Sequence, residues 1–225
     1  MADYKVTDTE LTSIANAIRT KGGTQAQLEF PTGFVSAVQA IPTGGGGEPY
    51  IENSYSYVDT EKYGNEIYGV KFEFAPIYLR NGYGWYLGAL NNDCVIGSMN
   101  DYDISKGFIR VATVDFGVVS FLARQKNTLL IKDGEIKING VKIAGSYTGA
   151  ICTQHYTLRV FGGSNAFSHC RVYGLELYDI NGNTIAKYIP ALDSADYYAP
   201  CLHDEISGTN LYNYQGKGLL CYGQE

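Results

Sequence analysis

Carboxylates, cysteine–histidine pairs and tyrosines are the side chains of this 225-residue sequence whose spacing invites chemistry. Glu176 and Asp179 are the nearest approach to the two carboxylates that glycoside hydrolysis places across a scissile bond. Three positions apart in a strand, they face opposite sides. No Glu-x-Asp-x-x-Glu triplet, which would put carboxylates on one face, occurs in the chain. A serine nucleophile is also without its setting: there is no Gly-x-Ser-x-Gly, and Ser98 and Ser164 read as turn residues. No catalytic residue is expected, and the protein reads as a non-enzyme.

Metal chemistry has two openings. Cys152-x-x-His155, His169-Cys170 and Cys201-x-His203 hold zinc-type ligands. Their spacings match no ligand pairing, and adjacent residues 169 and 170 would point to opposite faces of a strand. The alternative is core thiols with surface histidines. Five cysteines (94, 152, 170, 201, 221) form an odd set, and the segment Met1–Asp8 carries neither the basic nor the apolar run of an export signal. Reduced thiols packed as small apolar residues are therefore expected. Asp179-x-Asn181-x-Asn183 begins like a calcium loop, but Gly182 is misplaced and Pro190 stands where the bidentate glutamate belongs, so a hairpin turn is expected. Asp101-x-Asp103 is a more open acidic loop, either a calcium site or solvated carboxylates. No cofactor is expected.

Recognition by aromatic faces remains. Of thirty aromatic residues, 20 are Tyr, a side chain that offers a flat apolar face with a polar edge. Tyr83 and Tyr86, after the Asn81-Gly82 turn, and Tyr197 and Tyr198, in a late loop, are the expected ligand contacts. Trp85 shares strand register with Leu87, which favours a core role over a binding one. A formal charge of −6 gives no basic footprint for nucleic acid. No apolar run approaches the ~18 residues of a membrane span, so insertion is not expected.

The elements that must position these residues fall into two parts. Gly44-Gly45-Gly46-Gly47 lacks the lysine of a phosphate loop and reads as a tether over 44–49, dividing 1–43 from 50–225. In the first part, Thr7-Asp8-Thr9-Glu10 has the capping-box pattern. Leu11, Ile14, Ala15 and Ile18 then recur at helical spacing until Gly22-Gly23. Phe34, Val35, Val38 and Ile41 start a second helical stripe that ends at Pro42. Two helices of about three turns fall near the ~40-residue limit below which a domain needs help. Their stripes (Leu11, Ile14, Ile18, Phe34, Val35, Val38, Ile41) are expected to anchor or assemble the protein, the rival being packing on its own second domain. The second part is strand-rich. Val70, Phe72 and Phe74 alternate with Lys71 and Glu73, and Tyr173, Leu175 and Leu177 alternate before a turn at Asn181-Gly182, with Ile185 and Ile189 beyond it. Asp133-Gly134 and Asn139-Gly140 are hairpin turns dividing 128–144 into a three-strand meander. About a dozen strands and no long helix indicate a mainly β sandwich or jelly roll after a small two-helix module.

Specific stretches carry a resemblance. Tyr50-Ile51-Glu52-Asn53-Ser54 with Tyr57-Val58-Asp59-Thr60 resembles the opening strand of concanavalin A-like (laminin G-like) jelly rolls. Arg171-Val172-Tyr173-Gly174-Leu175-Glu176-Leu177-Tyr178-Asp179 resembles their penultimate strand. Ile189-Pro190-Ala191 and the run Leu202–Asn213 resemble their closing segment, with His203 where tyrosine is usual. Leu11–Arg19 with Phe30–Val38 resembles a helical module of tailed-phage structural proteins, often followed by a Gly-rich linker and a variable β domain. The resemblance implies a virion protein made in the host bacterial cytoplasm: a head or tail fibre, spike or decoration. It would bind other virion proteins through 1–43, assemble as a homotrimer and present a lectin-like head to a host-surface glycan or protein. The alternative is a bacterial or prophage-encoded carbohydrate-binding module with no virion role.

Overall fold

The computed structural model describes residues 7–22, 34, 47–53, 56–78, 84–89, 94–98, 103–143, 145–162, 169–196, 198–213 and 220–224. Two compact units divide the chain: Met1–Gly47 with Gln224–Glu225, and Glu48–Gly223. The smaller unit contains helix α1 (Asp8–Gly22). Its start is a reciprocal capping box: the Glu10 N–H donates to Thr7 Oγ1 (3.3 Å), and the Thr7 N–H and hydroxyl both donate to Glu10 Oε2 (2.8 Å each). The Thr7 amide and hydroxyl hold the exposed Glu10 carboxyl below its usual range. Ala15 and Ile18 are buried, Leu11 is half-buried and Ile14 is 47% exposed, so the covered stripe follows positions 11, 15 and 18. Of the second expected helix, Phe34 is helical and half-buried. Val35, Val38 and Ile41 lie outside the described residues, as does the expected tether up to Gly46.

The larger unit is built from β1 (Pro49–Asn53), β2 (Val58–Tyr63), β3 (Gly69–Tyr78), β4 (Gly84–Gly88), β5 (Cys94–Ser98), β6 (Lys106–Val111), β7 (Val114–Ser120), β8 (Asn127–Lys132), β9 (Glu135–Ile138), β10 (Val141–Lys142), β11 (Thr157–Val160), β12 (His169–Tyr178), β13 (Thr184–Asp193), β14 (Ala199–Asp204), β15 (Asn210–Leu211) and β16 (Cys221–Gln224). They form two antiparallel sheets. The larger runs β10-β9-β8-β3-β12-β13-β14-β15, with β1 paired to β12 and β16 to β1. The smaller runs β2-β11-β4-β5-β6-β7. β12 was expected to be the penultimate strand; instead β13 to β16 follow it, and it lies inside the sheet, paired with β1, β3 and β13.

Apolar alternation drives the stacking of the sheets. Val70, Phe72 and Phe74 on β3 are all fully buried, and Phe74 meets Tyr86 of the other sheet at 5.3 Å between ring centroids. Phe121 stands edge-on to Phe74, also at 5.3 Å. Each fully buried phenylalanine contributes about 1.5–3 kcal/mol of transfer free energy. The meander forms as its turns dictate. Asp133 and Gly134 (φ 53° and 76°) and Asn139 and Gly140 (φ 51° and 79°) take the paired left-handed backbone of a two-residue hairpin.

Bulges and register shifts break the period-2 pattern at several places, two of which decide where aromatic side chains point. On β12, Val172 pairs with Phe74 and Gly174 with Glu73, so Tyr173 is one residue too many. Val172 and Leu175 both enter the core, whereas Tyr173 packs against Tyr50 (5.8 Å) away from it. The expected shared face of Tyr173, Leu175 and Leu177 is thus corrected. On β4, Trp85 pairs with Gly97 and Leu87 with Ile96, making Tyr86 the extra residue. Beyond the Asn181-Gly182 turn, Ala186 and Tyr188 supply the core, and Ile185 and Ile189 are half-buried.

The β14–β15 hairpin is pinned by one carboxylate. Asp204, 1% exposed, accepts the N–H groups of Lys187 (2.9 Å) and Ile206 (3.1 Å) and the Ser207 hydroxyl (2.7 Å). Burial alone would raise its pKa; the Lys187 amide, Ser207 hydroxyl and Ile206 amide outweigh that and hold it low. Asp204→Ala leaves these donors unpaired and should cost about 2–3 kcal/mol in urea unfolding. A loss within about 0.5 kcal/mol would mean that the turn does not depend on this carboxylate.

Candidate functional site

A concavity of the described β unit lies on the outer face of the larger sheet, the side turned away from the core. On β3, Lys71 and Glu73 point outward between the buried Val70, Phe72 and Phe74. On β12, the bulge carries Tyr173 and Gly174 to the same side, followed by Glu176; on β13, Lys187 joins them. Together with Glu48 and Pro49 they line a groove of about 360 Å³.

Opposite charges alternate across this groove. Lys71 Nζ bridges Glu73 Oε1 (3.2 Å) and Glu176 Oε1 (3.4 Å). Lys126 Nζ bridges Glu73 Oε2 (3.2 Å) and Glu48 Oε1, and sits 5.6 Å from the Tyr173 ring centroid. Tyr178 donates its hydroxyl to Glu176 Oε2 (2.8 Å), and Lys187 pairs with Glu205 (2.6 Å). Burial pulls against the charge on Lys71 and Lys126, but Glu73 with Glu176, and Glu48 with Glu73, outweigh it and raise both ammonium pKa values. Burial likewise works to raise Glu176; the Tyr178 hydroxyl and Lys71 overcome it and bring the carboxyl below its usual range. A glycosidase acid is tuned in the opposite direction, with its carboxyl pKa raised.

The described members of the set expected to touch ligand, Tyr86, Tyr198 and Asp103, lie on different parts of the β unit. Tyr86 is fully buried between the sheets, which corrects its assignment as a contact: the bulge turns its ring into the core against Phe74 and Phe121. Its hydroxyl is sealed from solvent with no hydrogen bond of normal geometry, Ser98 being the polar side chain within reach, and burial drives its pKa up. Trp85 is buried edge-on to Phe108 (5.2 Å), outside the inter-sheet core. Tyr198 is 62% exposed at the β13–β14 turn. Tyr83, Tyr197, Asp101 and Ser164 lie outside the described residues. Asp103 is engaged locally: Oδ1 accepts the Ser105 hydroxyl (2.5 Å) and N–H (2.9 Å), which lower its pKa.

Ser98 is a strand residue rather than a turn residue; its hydroxyl accepts the Gly84 N–H (2.9 Å) and donates to the Gly84 carbonyl (3.2 Å). Asp179 has left the strand and folds the 179–183 turn, accepting the N–H groups of Asn181 and Asn183 at 2.8 Å each. The zinc-type residues separate. His155 stacks on Tyr63 (3.6 Å), His169 meets Glu52, and His203 meets Asn210 (2.7 Å), while Cys152, Cys170 and Cys201 are buried, Cys221 is exposed, and none of these four is in a disulfide. Among the described residues, no group of three or more His, Cys, Asp or Glu is placed to hold a metal. No described helix is long and apolar enough to cross a membrane.

The groove residues Lys71, Glu73, Gly174 and Lys187 were not among the expected site residues. A glycine inside a long strand pattern was the one available signal, since it commonly marks a bulge or a close approach. Compared with known proteins, no family model matches the chain and no curated sequence matches it.

Glu176, Glu52 and Asp204 all have lowered pKa values, Glu52 because the Arg171 and His169 contacts outweigh its burial. Their stabilising contribution is complete above the unfolded carboxylate range and is lost as pH falls through the lowered folded values. Thermal midpoints should be flat from pH 8 to about 5.5 and fall below about 4.5. Glu176→Gln should flatten that acid limb; an unchanged limb would exclude Glu176 from it. Tyr86→Phe should shift stability by less than about 1 kcal/mol, because the hydroxyl makes no normal hydrogen bond to lose. A larger loss in chemical denaturation would reveal a partner for it.

Proposed function

We propose that this chain is a virion protein of a tailed phage, an appendage whose helical unit assembles copies and whose β unit contacts the host surface. The observation that carries the reading is the pairing of two unlike units. One is Met1–Gly47, near the lower size limit for a core of its own; the other, Glu48–Gly223, has a continuous core between two sheets. Ile14, left 47% exposed beside the buried Ala15 and Ile18, is apolar surface available to a second copy or a virion partner. The resemblance of Leu11–Arg19 and Phe30–Val38 to phage helical modules supplies the virion context.

The β unit is a concanavalin A-like jelly roll in this reading. Its support is the ten-plus-six-stranded pair of antiparallel sheets, together with the places of the resembling stretches in β1, β2, β12, β13 and β14. A groove whose Glu176 carboxyl is kept below its usual pKa range by Tyr178 and Lys71 supports recognition over hydrolysis.

Sedimentation of the full chain at micromolar concentration should give a homotrimer. Ile14→Asp with Ile18→Asp should shift it to monomer while the main thermal transition persists. A monomeric wild-type chain would remove self-assembly and favour a carbohydrate-binding module without a virion role. Particles lacking the chain should adsorb poorly to host cells, and normal adsorption would remove the host-contact half of the proposal.

A further inference from the structure

We infer that the groove over Gly174 is a binding site for a short, net-neutral saccharide, which locates the contact made in the host-surface reading above and rests on that reading. Gly174 is the reason to look there. It lies within the ten-residue β12, where glycine weakens a strand because it costs backbone entropy and packs no side chain. Such a glycine is forced by a left-handed backbone or by a neighbour that a Cβ would strike, or it accompanies a bulge. Gly174 follows the Tyr173 bulge, but neither of the two forcing reasons applies at this position. Its φ is outside the left-handed region, and a Cβ would meet Glu73 Oε2 at 3.5 Å and the Tyr188 carbonyl oxygen at 3.7 Å, both ordinary contacts. Gly64 shows the contrast, since a Cβ there would fall 2.3 Å from Cys152 Sγ. The fold thus accepts a side chain at 174, and what a side chain would fill is the groove.

The walls define the ligand class. Glu48, Glu73 and Glu176 oppose a polyanion, and Lys71 and Lys187 oppose a polycation. An extended peptide cannot add as a strand, because β12 already has partners on both sides. The groove provides ammonium donors and carboxylate acceptors alternating over a few ångströms, held in place by their mutual ion pairs. Ligand hydroxyls both donate and accept, so a polyhydroxylated, uncharged molecule can meet both kinds of group without displacing either. A volume near 360 Å³, at the small end of the ~300–1,000 Å³ of ligand sites, suits a short saccharide segment.

The test uses the full chain, Gly174→Val and Lys187→Ala on an array of neutral, acidic and amino-bearing oligosaccharides, with titration calorimetry on the strongest neutral binder. Wild type should bind neutral oligosaccharides. Gly174→Val should lose affinity by about tenfold or more while its thermal midpoint holds or rises, since valine suits a strand better than glycine. Lys187→Ala should weaken binding with little change in melting. Should valine unfold the sheet, Gly174→Ala takes its place, with a smaller loss expected. Preference for acidic or amino-bearing glycans would overturn the ligand class. Neutral binding untouched by every variant would overturn the groove and leave the host-surface reading standing. An array with no binder, beside particles that still need this chain to adsorb, would overturn the inference and keep that reading.

Discussion

One inserted residue in β12 determines which side chains the larger sheet turns inward and which it turns out. Without Tyr173 as the extra residue opposite Glu73, an unbroken alternation could not bury both Val172 and Leu175, an odd number of positions apart. With it, Cys170 and Val172 on one side of the bulge and Leu175 and Leu177 on the other all enter the core. The strand is also the junction of the sheet, paired to β1, β3 and β13. A slip here would invert every side chain beyond it and expose apolar residues worth about 1.5–3 kcal/mol each.

The same insertion shapes the opposite surface. It brings Tyr173 out against Tyr50 and Lys126 and sets Gly174 beside Glu73, so the outer face is hollow where the strand is irregular. Around that hollow, Lys71, Glu73, Glu176 and Lys126 form a continuous ion-pair network. Partly exposed pairs of this kind contribute only about 0–1 kcal/mol each, so the network adds little to stability. Its physical consequence is order. Four flexible side chains are tied to one another by these pairs, and in the proposed site that would lower the entropy cost of binding.

Where the chain keeps a strict period, its structure could be read directly. Val70, Phe72 and Phe74 face the core as their alternation implies, and the Asp-Gly and Asn-Gly turns form the meander. Thr7 and Glu10 close the expected capping box. Reading failed where one residue was inserted, and it failed twice in opposite directions. Tyr86, read as a surface contact, is drawn into the core by the β4 bulge; Tyr173, read as sharing the face of Leu175, is turned out by the β12 bulge. A bulge is a property of the pair of strands, so neither strand announces it alone. The groove was hidden for the same reason. Lys71, Glu176 and Lys187 become neighbours only through the register of β3, β12 and β13, and nothing local to any of them encodes that register.

The proposed function rests on this division of faces: an inner face committed to the core, and an outer face whose charges are paired and open over one glycine. In that proposal the exposed Ile14 of the helical unit serves assembly, and the polar groove of the larger sheet serves recognition. The most direct test is amide chemical-shift mapping of the full chain titrated with neutral oligosaccharides. The largest shifts should fall on Lys71, Glu73, Gly174, Glu176 and Lys187, in one contiguous patch across β3, β12 and β13. Shifts centred instead on the β13–β14 turn near Tyr198, or spread without a centre, would contradict the account.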